Sequence, residues 1–143
     1  CRQYSGNNFY HSLVANTIVE SCYVSNRTKE IGYVLPLYLY NDKEKQQQFS
    51  LLLQEELATG TRKPNIDLEL FNSLENTFSK KLSPEEIFYY IYGILYSNIY
   101  RKRYQEFLKI DFPRVPITKN YKLFQKFAEF GKQLVDLHLL KSP

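Results

Sequence analysis

The chain contains no methionine, no tryptophan and only two cysteines among its 143 residues. Because it begins at Cys1 and lacks methionine, we expect it to be a fragment of a longer protein. Cys1 and Cys22 do not have CxxC spacing, which favours free thiols in a reducing cytoplasm over a disulfide framework. No run of about 18 apolar residues and no signal peptide is present, so the sequence predicts no membrane contact.

The motifs of common catalytic sites are also missing. The sequence has neither a glycine-rich phosphate loop ending in Lys and Ser/Thr nor a GxSxG elbow. His11 and His138 are far from each other and from the cysteines, so the spacing of a metal site is absent. His138, late in an apolar helix, is interpreted as packed or as facing the helix dipole rather than as a catalyst. The chain alone is therefore predicted to be non-catalytic, with no metal and no cofactor.

Aromatic residues and a localised positive charge are what the sequence does have. It holds 13 Tyr and 10 Phe, and 43 % of its residues are apolar, enough for the core of one compact domain. The net charge is +4, but from residue 87 onward ten Lys and Arg stand against four Asp and Glu, a balance of +6. Such a block suits a polyanionic partner, and it also suits an ordinary solvated helix face.

The first 40 residues are predicted to be strand-rich. Three runs, 9–15, 18–24 and 31–40, are rich in β-branched and aromatic residues. Pro36 in the third run indicates an edge strand or a bulge. Residues 41–66, with a glutamine run and mixed charges, are predicted to be a linker or variable insertion. Within it, "FSLLLQEEL" (49–57) forms either a short helix or an added strand.

Residues 67–143 are predicted to be a helical scaffold, so the fold class is α+β, a strand-rich part followed by about four helices. Asp67 is placed to cap the first helix. In "SPEE", Ser83 and Glu86 form a capping box with Pro84 at the first helical position. The helix that follows, "EEIFYYIYGILYS", is apolar nearly all round and is expected to be central and buried.

Gly93 lies in the middle of that central helix, where glycine costs about 1 kcal/mol relative to alanine. The position indicates a close crossing with another element. Ser97 is predicted to cap a third helix, and Thr118 a fourth that continues to about residue 140.

Two prolines interrupt the helices in "DFPRVP", residues 111–116, which we call the elbow. Pro113 and Pro116 prevent helix continuation and hold the residues before them in extended geometry. Asp111 and Arg114 have a spacing at which they can form an ion pair. The elbow is predicted to set the angle between two aromatic-faced helices.

Four segments together resemble a known family: "IGYVLPLYLY", "IFYYIYGILYS", "YRKRYQEFLKIDFPRVPIT" and "LFQKFAEFGKQLVDLHLLKS". They are similar to the C-terminal specificity region of bacterial type ISP and related type IIG restriction–modification enzymes. In those enzymes an adenine-N6 DNA methyltransferase is followed by a target recognition domain. The resemblance covers nearly the whole chain and is most specific in the helical half. The sequence departs from the family pattern at Asn98, where a proline often follows the serine, and in the Gln-rich insertion.

The resemblance implies a module that reads DNA for catalytic domains N-terminal to it. The glycine-rich cofactor motif and the Asn-Pro-Pro-Tyr motif of such methyltransferases are absent here. S-adenosylmethionine and magnesium are therefore expected only in other domains of the parent enzyme. The implied partners are double-stranded DNA and the methyltransferase or nuclease domains of the same polypeptide, in the cytoplasm of a bacterium that uses them for defence.

Base readout is expected from polar side chains on strand ends and loops, because forked donors and acceptors distinguish base edges. The candidates are Arg2, Gln3, Asn7, Asn8, His11, Asn26, Arg27 and Lys29. For the three asparagines, turn chemistry is the stronger explanation. Phosphate contacts, which position a duplex without reading it, are expected from basic side chains of the helical half. Those candidates are Arg101, Lys102, Arg103, Arg114, Lys122 and Lys126.

Two alternatives remain open from the sequence. Arg114 either has a structural role in the elbow or contacts a phosphate or a neighbouring domain. The whole chain is either a DNA recognition module or an interaction module that docks onto the methyltransferase or another subunit without reading DNA.

Overall fold

The computed structural model describes residue 9 and residues 12–20, 32–40 and 62–141. Within these ranges, two short strands precede five helices. The strands are β1 (Tyr38–Tyr40) and β2 (Arg62–Pro64), and the helices are α1 (Leu68–Phe78), α2 (Pro84–Tyr96), α3 (Asn98–Arg103), α4 (Gln105–Ile110) and α5 (Tyr121–His138). The predicted α+β class is confirmed. None of the helices in these ranges is long and apolar enough to span a membrane.

β1 and β2 pair antiparallel, with Tyr38 opposite Pro64 and Tyr40 opposite Arg62. The Asn65 backbone N–H extends the pairing by donating to the Leu37 carbonyl oxygen at 2.8 Å. β2 lies inside the segment 41–66 that was predicted to be a linker or variable insertion, so residues 62–64 of that segment are paired in a sheet. The segment 49–57 lies outside the described residues, and its two alternatives stay open.

The predicted strand runs are only partly strands. The third run forms a strand in its last three residues, while residues 9, 12–15 and 18–20 of the first two runs are irregular. A β-branched composition favours extended backbone, but a strand exists only where a partner supplies the ladder hydrogen bonds. Pro36 cannot donate to a ladder, and its carbonyl oxygen instead accepts from Asn65 Nδ2 at 2.9 Å.

Local capping starts the first two helices as predicted. Asp67 Oδ1 accepts from the Leu70 N–H at 2.8 Å at the start of α1. At the start of α2, Ser83 Oγ accepts from the Glu86 N–H at 3.1 Å, and Glu86 Oε2 accepts from the Ser83 N–H at 2.8 Å. These bonds satisfy N–H groups that a helix cannot pair internally.

α2 is the centre of the core, as its uniform apolarity predicted. Ile87 and Tyr90 are almost completely buried, and Phe124 of α5 is 1 % exposed. The Tyr90 and Phe124 rings stack with centroids 4.7 Å apart. Tyr90 meets Phe124 near the start of α5, and Tyr92 meets His138 at its end, so α2 contacts both ends of α5.

Two glycines bring the backbones of α2 and α5 into direct contact. A Cβ added at Gly93 would lie 2.5 Å from the Phe127 carbonyl oxygen, and one added at Gly131 would lie 1.8 Å from the Tyr89 carbonyl oxygen. The predicted close crossing at Gly93 is confirmed. The surface of α5 that it meets contains the second glycine, Gly131.

Two predicted helix boundaries were wrong. The helix capped by Ser97 is divided into α3 and α4 at Tyr104, whose φ of −110° and ψ of 17° lie in the bridge region. The final helix begins at Tyr121, because Asn120 Oδ1 and not Thr118 accepts from the Leu123 N–H. The Thr118 N–H is bound to the Tyr90 hydroxyl at 3.2 Å, which holds that residue against α2 before the helix starts.

Candidate nucleic-acid interface

The eight candidates for base readout, Arg2, Gln3, Asn7, Asn8, His11, Asn26, Arg27 and Lys29, all lie outside the described residues. Their role stays a prediction. The six phosphate candidates are all described, and the structure separates them into three surroundings: an inward-facing arginine, exposed lysines and arginines on helices, and an arginine on the elbow.

Arg101 is the inward-facing residue. Its Nε donates to the Leu95 carbonyl oxygen at 2.6 Å, and its guanidinium lies 4.3 Å from the centre of the Tyr96 ring. The bond spans the corner between α2 and α3, at a carbonyl near the end of α2 where helix carbonyls lack internal partners. Arg101 thus stabilises the corner, and its side chain is less suited to a phosphate than those of its neighbours.

Lys102 and Arg103 are exposed at the end of α3. Neither takes part in an ion pair within the described residues, and the Arg103 guanidinium lies 5.8 Å from the Tyr104 ring centre. A cation at a helix C-terminus is also favoured by the helix dipole. These two side chains can meet an anionic partner without first breaking an internal contact.

Lys122 and Lys126 lie four residues apart on α5, on the side opposite the buried residues Phe124, Ala128 and Gly131. Both are exposed, and neither has an ion-pair partner within the described ranges. Like charges at this spacing destabilise a helix by about 0.2–0.5 kcal/mol. An anionic partner that neutralises both lysines removes that cost.

Arg114 extends from the elbow into solvent. Its side chain is 93 % exposed, and its Nη2 lies 3.8 Å from Asp111 Oδ2, a carboxylate that is itself 55 % exposed. The predicted ion pair is present, but an exposed pair at this distance contributes little stability. The pair therefore does not account for the shape of the elbow.

Two buried tyrosine hydroxyls hold the backbone of the elbow. The Tyr100 hydroxyl donates to the Arg114 carbonyl oxygen at 2.9 Å, and the Tyr90 hydroxyl donates to the Pro116 carbonyl oxygen at 2.7 Å. Burial raises the pKa of both hydroxyls above 10.0, so both are protonated donors at neutral pH. The sequence predicted that the helix containing Tyr90 is central and buried, but it assigned no role to either hydroxyl. Phenylalanine would fill the same space in the core, so the choice of tyrosine at both positions was the available sign that the hydroxyls bind something.

A third tyrosine joins the small sheet to the helices. The Tyr38 hydroxyl donates to Glu85 Oε1 at the start of α2, and the Arg62 guanidinium lies 4.1 Å from the Tyr38 ring centre. Burial, followed by the hydrogen bond to Glu85, raises the pKa of the Tyr38 hydroxyl. The sheet is thereby fixed to the N-terminal end of the central helix.

His138 has the packing role that the sequence predicted. Its Nδ1 shares a 2.7 Å hydrogen bond with the buried Tyr92 hydroxyl, and its ring centre lies 4.9 Å from that of Tyr96. It lies in the last turn of α5, where a basic residue suits the helix dipole. Within the described part of the chain, no group of three or more metal-ligating side chains comes together.

An open apolar groove of about 470 Å³ runs between the end of α2 and α5. It is lined by Gly93, Tyr96, Ser97, Phe127, Phe130, Gln133, Leu134 and Leu137. Phe130 and Leu137 remain 59 % and 55 % exposed. Phe130 lies four residues after Lys126, so the groove adjoins the lysine face on the same side of α5. Its apolar lining is suited to an apolar protein partner rather than to DNA.

Comparisons with known proteins support the type ISP part of the resemblance seen in the sequence. A family model described as the type ISP C-terminal specificity domain matches residues 1–143. No curated protein sequence matches the chain. Among solved structures, a chain in a structure described as "cryoEM structure DrdV-DNA complex" is 27 % identical, with a TM-score of 0.54. That match covers 73 % of this chain and 9 % of the other, so this chain corresponds to a small part of its solved relative.

Proposed function

The chain belongs to the type ISP C-terminal specificity domain family, and we propose from this premise that it is the DNA target recognition module of a restriction–modification enzyme. The match over residues 1–143 carries the proposal. The similar solved chain comes from a DNA complex, which supports a duplex as the partner. The exposed basic side chains of α3 and α5 supply the positive charge that phosphate binding requires.

The parent enzyme is proposed to be an adenine-N6 methyltransferase of the type ISP or type IIG kind. Its methyltransferase and nuclease domains precede this module in the same polypeptide, use S-adenosylmethionine and magnesium, and act in the cytoplasm. This module supplies binding and no catalytic group. The resemblance in the four quoted segments supports this part of the proposal.

Recognition is divided between two sets of residues. The polar candidates before residue 30 read base edges, where a forked side chain discriminates between bases by about 1–3 kcal/mol. Lys102, Arg103, Lys122 and Lys126 hold phosphates and position the duplex. Arg101 is left out of the phosphate set because its Nε and guanidinium plane are already engaged at the α2–α3 corner.

The experiment measures binding of the full-length parent protein to its own site and to single-base variants across a salt series. The double change of Lys122→Ala and Lys126→Ala should weaken binding to all duplexes alike and reduce the salt slope by about two units, one for each phosphate contact. Lys132→Ala is the matched control, because it removes one charge from an exposed position on another side of α5 and should leave the slope unchanged.

Readout residues should behave differently from phosphate residues. Arg27→Ala or Gln3→Ala should relax specificity at one base position and cost about 1–3 kcal/mol on the cognate site. If both classes of variant bind every duplex like the parent, with unchanged salt slopes, the recognition function is wrong.

A second candidate function is the docking of this domain onto another part of the parent protein, without DNA reading. The groove between α2 and α5, with its exposed Phe130 and Leu137, favours it. Phe130→Ser should then impair assembly of the parent enzyme while leaving DNA specificity unchanged. Because Phe130 and Lys126 lie four residues apart on one side of α5, the two functions are separated by the readouts, assembly for Phe130→Ser and salt slope for Lys122→Ala with Lys126→Ala.

A further inference from the structure

The elbow is an exposed loop with an unusually restrained backbone. Pro113 and Pro116 fix two φ angles near −65°, and the two buried hydroxyls of Tyr100 and Tyr90 bind the carbonyl oxygens of Arg114 and Pro116. The Tyr90 hydroxyl also accepts from the Thr118 N–H at 3.2 Å. The backbone on both sides of Arg114 is therefore held to the core of the domain.

The side chain at the centre of this restrained segment has no comparable anchor. Arg114 is 93 % exposed, and its one ion pair within the described residues is the long, solvent-exposed contact with Asp111. If the elbow served only to turn the chain between α4 and α5, the prolines would suffice and a phenylalanine would pack in place of either tyrosine. Two hydroxyls bind the carbonyl oxygens of Arg114 and of Pro116, two residues further on, which indicates that the position of Arg114 is what they fix.

We propose that Tyr90 and Tyr100 are positioning residues that hold Arg114 in place to contact a phosphate of the bound duplex. Anchoring the backbone in advance lowers the ordering cost of the contact, and a guanidinium binds phosphate oxygens bidentately. The +6 balance of the segment from residue 87 onward favours an anionic partner at Arg114, and on the proposed DNA recognition function that anion is a phosphate. This inference rests on the proposed DNA recognition function and assigns residues to it that lie outside the basic helix faces.

The test is a double-mutant cycle in the full-length parent protein, with DNA binding measured across a salt series. Arg114→Ala should weaken binding to all duplexes by about three- to tenfold and reduce the salt slope by about one unit. Tyr100→Phe, which keeps the ring, should weaken binding by about two- to fivefold. In the Arg114→Ala background it should have no further effect on binding, because residues acting through one contact are not additive.

Tyr92→Phe is the matched control. Tyr92 is about as buried as Tyr90 and Tyr100. Its change to phenylalanine also removes a hydroxyl hydrogen bond, but one to His138 rather than to the elbow. It should lower the thermal stability to a similar extent and leave DNA affinity unchanged. Tyr90→Phe provides a second elbow variant should Tyr100→Phe fold poorly.

Each other outcome overturns the inference in a recognisable way. If Arg114→Ala weakens binding but both tyrosine variants bind like the parent, the anchoring is unnecessary. If Arg114→Ala leaves DNA binding unchanged and instead impairs assembly of the parent enzyme, Arg114 contacts another domain. In both cases the proposed recognition function still stands on Lys122 and Lys126, whose salt slopes test it separately.

Discussion

Gly131→Ala should strongly destabilise the domain, because the methyl group that it adds would overlap the backbone of α2. The new Cβ would lie 1.8 Å from the Tyr89 carbonyl oxygen, 2.7 Å from the Tyr89 carbonyl carbon and 3.0 Å from the Gly93 nitrogen. Ordinary contact begins at 3.4 Å, so α2 and α5 would have to separate by about 1.6 Å. All three neighbours are backbone atoms, so no change of side-chain rotamer relieves the overlap.

The magnitude is set by two opposing effects. Alanine gains about 1 kcal/mol over glycine in helix propensity, whereas overpacking a core costs about 1–3 kcal/mol and more where backbone must move. Separating α2 from α5 would also loosen the packing of Tyr90 on Phe124. We expect a net loss of about 2 kcal/mol or more, which corresponds to a decrease in Tm of roughly 8 °C for a domain of this size.

Equilibrium urea unfolding of the 143-residue chain measures this loss, with Lys132→Ala as the control at the next, exposed position. That control should lie within about 0.5 kcal/mol of the parent. Gly93→Ala should be less harmful than Gly131→Ala, because its closest approach is 2.5 Å rather than 1.8 Å, and Gly93→Leu should be severe. If Gly131→Ala is as stable as the parent, the two helices do not cross as closely as the geometry requires.

The remaining predictions concern pH and catalysis. Burial raises the pKa of four tyrosine hydroxyls above 10.0: Tyr38, Tyr89, Tyr90 and Tyr100. Above pH 10 the unfolded chain loses these protons before the folded chain does, so the free energy of unfolding should fall as the pH rises. Below pH 10 both states keep the protons, so these tyrosines should cause no pH dependence there. Tyr90→Phe should make this decrease shallower, and an unchanged pH dependence would contradict the burial of that hydroxyl. Separately, the 143-residue chain with DNA, a labelled methyl donor and magnesium should show neither methyl transfer nor cleavage. Activity that copurifies with the chain would refute its assignment as a binding module.

The exposed basic positions were predictable where charge and local sequence decide exposure, while their role in binding stays a prediction. The basic block after residue 87 identified Lys102, Arg103, Lys122 and Lys126, and the structure places all four on exposed helix surface. It did not distinguish Arg101, one position away from Lys102, because the partner of Arg101 is a carbonyl oxygen made available by the corner between α2 and α3. A count of charges contains no information about such a corner.

The starts of α1 and α2 were readable from the sequence alone because they depend on residues three positions apart. The bonds of Asp67 to Leu70 and of Ser83 to Glu86 form within one turn of chain, so the side chains that make them are adjacent in the sequence as well as in space. The prolines of the elbow act on their own backbone and are equally local. The apolar character of α2 likewise determined that it is central.

Only the tertiary structure decided which of these local elements hold one another. The hydroxyl of Tyr90 reaches the Pro116 carbonyl oxygen 26 residues away, and β1 pairs with β2 across the predicted linker. Gly131 allows backbone contact only because α5 crosses α2 at the level of Tyr89 and Gly93. Such partners depend on where distant segments come to lie. Many different packings satisfy the same local pattern, so the sequence pattern defined only the individual helices and strands of this domain. The packing of α2 against α5 and against the elbow decided where Arg114 lies.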